Sequence, residues 1–456
     1  MADPPPVAGR LLCAGLAMAT AAGVVLAAAV ARSGDILDAR GRVLLLLGGW
    51  SAAWALGVVC ALRVPGRVVI PVVLVGAVAI RLAALSGPPT LSDDLYRYSW
   101  DGRVQAAGIN PYRYPPDSPA LTQLREPWLW PDAADCTEIY RPSGCSRMNR
   151  TGVRTIYPPL AQVWFAGVYR VAGIEARHKA WQVTGVLTEL AVVALLPLVL
   201  AAWARDRRWT ALYALSPFPV VEVVNNGHVD GLAVVLVVLA LLAAARRRTG
   251  WAGALLGGAT LVKLYPAVLL VGLVGGAERR RSALVRAAAG ALAVVGAGYA
   301  VHVLTVGPRV LGYLPGYLRE EQYGEGGRYL LAGLLGTPAP ITAALAAAGV
   351  LAVVGWVMWR RPPAPQAFAV LLGAALLAAT PNQPWYAVTL LAVATVAAQP
   401  RWALVAAAAY PLYFGVILDV PHAVAVGQLS YSVALAGVVA LCWAERQRRV
   451  ISRRAL

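Results

Sequence analysis

Apolar runs of membrane length recur along the chain, separated by short polar breaks. Residues 11–31, 43–62 and 283–305 are three of them. A helix of roughly 20 apolar residues crosses a bilayer core of about 30 Å. Spans are expected near 10–32, 43–63, 68–86, 180–203, 209–224, 228–245, 283–305, 337–359, 366–380, 385–398, 402–418 and 424–443. Two further segments read differently. Segment 158–173 is apolar but short and contains Arg170. A full crossing there would put the arginines at 205–208 on the wrong side, so an interfacial or partly inserted helix is expected. Segment 251–276 lies between two basic clusters and carries "KLYP" at 263–266. Proline interrupts the helical ladder, and broken backbone at membrane depth is tolerated where it lines a cavity. Two short helices are therefore expected there. The pattern predicts an all-α polytopic membrane protein with roughly 12–14 spans. Its parts are N-terminal spans over 1–86, a polar loop over 87–157, a transmembrane core over 158–443 and a basic tail over 444–456. No internal repeat stands out, which weakens an inverted-repeat transporter reading.

Composition agrees: the chain is 59% hydrophobic and 14% charged, where soluble domains run near 45–50% and about 25%. The net charge of +18 raises the question of nucleic acid. Its distribution argues against that, because the arginines fall in short clusters at 205–208, 246–248, 279–281, 360–361 and 446–454, between or after spans. Cytoplasmic loops retain Lys and Arg in this way, so the partner is a bilayer and the polar loop 87–157 is expected outside. Lysine occurs only at Lys179 and Lys263. The first apolar run is too long for a signal-peptide core and is expected to be a retained span. Of five cysteines, Cys13, Cys60 and Cys442 lie in apolar spans and read as inert core thiols. Cys136 and Cys145 lie in the polar loop without a zinc-spaced His partner; in an oxidising compartment they are expected to form a disulfide.

Just beyond the third span stands "SDDLYRYSWDGRVQAAGINPYRYPP", residues 92–116. Carboxylates beside a membrane are expensive, and they mark function by default. The plainer reading makes Ser92 an N-cap, with the acidic residues favoured in the first helical turn. That reading leaves the aromatic and basic continuation unexplained.

The order of motifs resembles a family. The acidic pair with its Tyr, then "DGR", then "NPY", then "TIYPPLAQVWF" (155–165) look like the GT-C superfamily of membrane glycosyltransferases. "NNGHVDGLAV" (225–234), "LVKLYPAVLL" (261–270) and "QPWYAVTLL" (383–391) follow in the same order. The likeness is nearest to glycosyltransferase family 87 and related polyprenol-phosphate-mannose-dependent mannosyltransferases. It covers about residues 85–395. It implies a GT-C-like bundle in a bacterial cell membrane, with a catalytic first loop facing outside. It also implies transfer of a sugar, mannose first among them, from a polyprenyl-phosphate donor to a lipoglycan or cell-envelope acceptor, with inversion.

Such a transfer needs a base for the acceptor hydroxyl and positive charge for the phosphate leaving group. The acidic residues are adjacent here where relatives have Asp-x-Asp. Asp94-Leu95-Tyr96 best matches the relatives' context, so Asp94 is expected as base, with Asp93 orienting it or helping to hold a divalent metal if one is used. No other cofactor is implied. Asp101 is expected to contact sugar or to pair with Arg97 or Arg103. Lys263 is the first candidate for the phosphate, against a snorkelling role. Arg103 and Arg328 are weaker candidates, able to chelate phosphate through two N–H groups. Asn226, His228 and Asp230 suit sugar hydroxyls, against helix capping and a satisfied polar cluster. Trp385 and Tyr386 suit stacking on sugar or lipid, although aromatic residues are common at interfaces. Tyr96 and Tyr157, from the two tyrosine motifs, complete the substrate set. The competing reading is a transporter or flippase of lipid-linked sugars, which would share the polar cavity but need no base.

Overall fold

The computed structural model describes residues 6–132, 145–274 and 280–454. Among the described residues there are helices and no strands. The long helices are α1 (Pro6–Ala31), α2 (Ile36–Ala61), α3 (Gly66–Ala83), α4 (Asp94–Ala106), α5 (Pro159–Ala172), α6 (Arg177–Ala202) and α7 (Asp230–Ala245). They continue as α8 (Thr249–Thr260), α9 (Arg280–Val306), α10 (Ala339–Arg360), α11 (Ala364–Ala379), α12 (Tyr386–Ala397), α13 (Ala403–Ile417) and α14 (Ala423–Arg454). Among the described residues, seven helices are long and apolar enough to cross a membrane by length and composition, and four apolar helices are shorter. The outer faces carry large apolar side chains, such as Leu292 and Leu304 on α9 and Trp359 on α10. A polytopic protein presents such faces to lipid.

Differences from the expected spans follow local chemistry. The span expected over 209–224 is a chain of short pieces: Thr210–Ala214, Pro217–Pro219 and a π-helical turn over Val220–Asn225. Pro217 and Pro219 lack N–H donors, and a residue before proline is pushed to extended backbone. Ser216 is extended, and its hydroxyl accepts from the Phe218 N–H at 3.3 Å. The fully buried Arg81 steadies these pieces by donating to the Ala214 carbonyl at 2.8 Å. Arg81 also pairs with buried Glu189 on α6 at 2.8 Å, and Glu189 accepts from Tyr213 at 2.6 Å.

The break at "KLYP" is present: α8 stops at Thr260 and a 3-10 helix runs over Tyr265–Val274. A carbonyl freed at a break must find a donor inside an apolar body. The Leu261 carbonyl finds two, the Leu160 and Ala161 N–H groups at 3.0 and 3.1 Å. These belong to the first turn of α5, so the helix break and the short α5 satisfy each other.

Arg208 reaches the Val64 carbonyl at 3.1 Å, and Arg401 pairs with Glu445 at 2.7 Å. The arginine-bearing corners thus gather at one end. The acidic motif and residues 226–230, 263 and 383–386 gather at the other.

The helix pair α8–α9 packs through small residues. A Cβ on Gly253 would stand 2.0 Å from the Ala287 carbonyl oxygen, and one on Gly290 2.3 Å from that of Gly250. Without a hydrophobic drive between helices in lipid, close backbone approach supplies the contact. Gly253→Leu is therefore expected to lower stability by about 1–3 kcal/mol, as overpacking does. Gly349→Ala, where an added Cβ meets nothing within 4 Å, should not. Unfolding midpoints in one detergent check the pair.

Candidate active site

The acidic pair is placed by a clamp on the backbone before it. Asn226 Oδ1 accepts from the Thr90 and Leu91 N–H groups at 3.2 and 3.0 Å, and Asn225 Oδ1 accepts from Thr90 at 3.1 Å. Asn225 donates to the Pro88 carbonyl at 3.0 Å. From α6, Lys179 donates to the Leu85 and Gly87 carbonyls at 2.6 and 2.9 Å, and Gln182 to Gly87 at 3.1 Å. The chain then enters α4, where Ser92 Oγ accepts from the Asp94 N–H at 3.3 Å.

Asp93 and Asp94 diverge from there. Asp93 accepts from Asn149 at 2.7 Å. Asp94 Oδ2 accepts from the Tyr157 hydroxyl at 3.0 Å and lies 3.7 Å from His228 Nδ1. The "NPY" motif stations Tyr157: Tyr112 donates to the Tyr157 carbonyl at 2.7 Å, while Asn110 is tied to Thr305 of α9 at 2.7 Å.

Behind Asp94 the His228 ring is fully buried and stacks on Trp385, with centroids 4.1 Å apart. The Tyr98 hydroxyl is 3.5 Å from Nδ1, and Glu222 Oε2 is 3.6 Å from Nε2. Glu222 also accepts from Tyr410 at 2.8 Å. A His228 tautomer with its proton on Nε2 suits both sides, since Tyr98 then donates to Nδ1 and the N–H faces Glu222. Beside this line, Lys263 Nζ stands 3.2 Å from Asp230 Oδ2 and over the rings of Tyr157 and Tyr386 at 5.2 and 5.3 Å. Side-chain exposure grades the carboxylates: 19% for Asp94, 1% for Glu222 and 0% for Asp230.

The structure thus brings together Asp94, Tyr157, His228, Asp230, Lys263, Trp385 and Tyr386 from the expected set. Other members stand elsewhere. Asp101 pairs with Arg97 at 2.9 Å and accepts from Gln162 at 2.9 Å, both inside the α4–α5 contact. Gly102 lets α4 and α5 meet, since a Cβ there would stand 2.5 Å from the Phe165 carbonyl oxygen. Arg103 donates to the Tyr169 hydroxyl at 3.3 Å, and Tyr96 packs edge-on to Trp128. Asn226 is buried in the clamp, its amide engaged on both atoms. Asp101, Arg103 and Asn226, expected as substrate contacts, stand instead as fixtures of the scaffold, because Asp101 and the Asn226 amide are engaged by protein partners and Arg103 is turned to Tyr169. Arg328 pairs with Glu321, which also accepts from Gln383 at 2.9 Å. Cys136 lies outside the described residues, and the Cys136–Cys145 pairing with it. Among the described residues no group of three or more His, Cys, Asp or Glu is arranged to hold a metal ion.

Several participants were not singled out from the sequence. Glu222 sat in "VVEVVNN" as part of an expected span; an ionisable residue in such a run was the signal. Tyr98 and Tyr410 carried none. Arg150 reaches the same end from the polar loop and forms an ion pair with Glu320. Burial opposes its charge, but the hydrogen bond to Glu320 and the attraction of the Glu320 and Asp94 carboxylates together outweigh that and raise its pKa.

Residues 155–381 match the sequence model of Glycosyltransferase family 87. The match opens at the Tyr157 motif and includes the His228, Asp230 and Lys263 motifs; it leaves out the acidic pair and "QPWY". No curated protein and no solved structure gives a significant match. A matched segment that supplies Tyr157, His228, Asp230 and Lys263 to one polar cluster, inside an apolar helical body, leads to one conclusion: the chain carries a glycosyltransferase family 87 domain of the GT-C type and is a multi-pass membrane glycosyltransferase.

Proposed function

We propose that the enzyme moves a sugar, mannose first among candidates, from a polyprenyl-phosphate donor to a hydroxyl of a lipoglycan or cell-envelope acceptor, with inversion. The observation that carries this reading is the grading of the carboxylates. Asp94 is the partly exposed one at a cluster whose other carboxylates, Glu222 and Asp230, are sealed. A base must reach the proton that it takes.

Asp94 accepts the acceptor hydroxyl proton as the oxygen lone pair attacks the anomeric carbon. The bond from that carbon to the phosphate oxygen breaks, and polyprenyl phosphate leaves with the bonding pair. Lys263 meets the growing phosphate charge, helped by Arg150 at the rim. Tyr157 holds the Asp94 carboxylate. His228, backed by Glu222, fills the space behind it and keeps water out. Trp385 and Tyr386 form the wall against which the sugar rests. In this reading the loop 87–157 brings the base and the core 158–443 brings the rest. The arginine-rich end faces the cytoplasm of a bacterial cell by the positive-inside rule, so the chemistry takes place outside.

Purified enzyme with radiolabelled polyprenyl-phosphate mannose and an envelope glycolipid extract is expected to form labelled acceptor. Asp94→Asn is nearly isosteric and should lower turnover about 100-fold or more while insertion and unfolding midpoint stay unchanged. Near-normal turnover would remove Asp94 from the base role, and movement of the donor across vesicles without transfer would replace the enzyme reading by a flippase.

Lys263→Ala alone leaves buried Asp230 without its partner, which destabilises by about 3–5 kcal/mol. The double change Lys263→Met with Asp230→Asn avoids that. It should fold and lose about 10–100-fold in donor kcat/KM, the range for one charged hydrogen bond. Unchanged donor use would make the lysine a structural partner of Asp230.

Glu222→Gln keeps the Tyr410 hydrogen bond and removes the charge facing His228. A fall of about tenfold in kcat with donor KM unchanged is expected for loss of such support. A change confined to thermal stability would make Glu222 a packing residue.

A further inference from the structure

At the end of the molecule opposite the acidic motif lies a cavity of about 780 Å³. Four arginines line it, Arg205, Arg401, Arg446 and Arg448, with one carboxylate, Glu445. They arrive from three separate stretches: the loop after α6, the turn before α13, and the last part of α14. Arg401 is buried, 8% exposed, and is held by both Glu445 oxygens at 2.8 and 2.7 Å. Its Nε is buried without a hydrogen-bond partner. Gln366, with its amide oxygen turned to Arg205, braces that side chain and donates to the Pro363 carbonyl at 3.2 Å.

Topology alone asks for basic residues in the loops at this end. It does not ask that they converge on a void, nor that one be buried and fixed by a carboxylate. The charge that remains calls for an anion bearing several acceptor oxygens, which arginine binds through paired N–H groups. The remaining lining is the amide side chain of Gln399 together with small and apolar Pro363, Ala397, Ala398 and Cys442. Beside it, α14 turns Val439 and Trp443 outward, 58% and 64% exposed. A tryptophan at that depth marks the boundary between headgroups and acyl chains. An occupant thus meets arginines at one end and a lipid-facing helix at the other.

We propose that this cavity binds the phosphate headgroup of an anionic membrane phospholipid, at a site separate from the sugar-transfer site. Basic pockets between spans at a membrane surface suit that class of ligand. The lipid would brace α14 against the α6–α7 half of the bundle through Arg446 and Arg448 on one side and Arg205 on the other.

The test uses the full-length protein in neutral detergent and native mass spectrometry. It is offered phosphatidylglycerol, phosphatidylcholine or glycerol 3-phosphate at equal concentration. Retention of phosphatidylglycerol alone is expected. Arg446→Gln, Arg448→Gln and Arg205→Gln should each weaken it about fivefold, and Arg446→Lys should retain most of it. The glutamine changes fall on exposed or half-buried side chains, so unfolding midpoints in detergent should match the wild type and report intact folding. Equal retention by wild type and the glutamine variants would overturn the site, leaving the arginines as topological charge. Equal retention of phosphatidylcholine would overturn recognition of the anion. Glycerol 3-phosphate bound as well as the lipid would overturn the lipid source in favour of a soluble phosphate.

Discussion

Everything at the end that carries the acidic motif depends on satisfying backbone that leaves the helix inside an apolar body. The stretch between α3 and α4 has polar groups at Leu85, Gly87, Pro88, Thr90 and Leu91 that no helical ladder uses. Lys179, Gln182, Asn225 and Asn226 supply the partners. An unpaired amide or carbonyl buried there costs several kcal/mol, so the stretch has little freedom to move. The acidic pair follows immediately and inherits that rigidity. The same economy governs the break after α8, where the Leu261 carbonyl and the first turn of α5 complete each other. α5 in turn begins just after Tyr157, so both supports of Asp94, its own backbone and its tyrosine partner, are fixed by repairs to broken helices.

Charge is handled in the same spirit. Lys263 and Asp230 are an ion pair in a place where either alone would be expensive. Such pairs are weak evidence for stability, because desolvation offsets much of the attraction. A lysine between two tyrosine rings and one carboxylate keeps a positive charge at the cluster without exposing it to water. The Glu222–His228 line is built from segments whose irregularity makes it possible. The π turn over Val220–Asn225 places the Glu222 carbonyl where His228 N–H meets it at 3.1 Å, and it sets the Glu222 carboxylate under the imidazole. A regular helix through residues 220–229 would have set the two side chains on a different spacing. π turns are often found at functional sites for this reason.

Much of the fold was legible because length, apolarity and arginine placement are properties of the chain itself. A run of membrane length must be a helix when lipid offers no hydrogen-bond partner, and "KLYP" must break one when proline removes a donor. The expected bounds of α6, α9 and α10 are therefore close to those observed. The 209–224 span was misread as continuous, since hydropathy does not weigh Pro217 and Pro219 against the surrounding valines. The family was legible from the order of its motifs, and residues 155–381 match it.

The sequence alone determined that ionisable residues in apolar company, Asp94, Asp230 and Lys263 among them, had to be gathered somewhere, because lipid would not tolerate them singly. Only the tertiary structure decided which became one site. It brought His228 to Asp94, and Trp385 over His228, across more than a hundred residues of chain. It turned Asp101 and Arg103 into the α4–α5 contact, and it made Asn226 a backbone clamp rather than a free amide. It also raised Glu222 from an oddity in a valine run to the partner of His228. The physical reason is that hydrogen bonds and ion pairs are satisfied by position in space, and residue type specifies only what a side chain is able to satisfy.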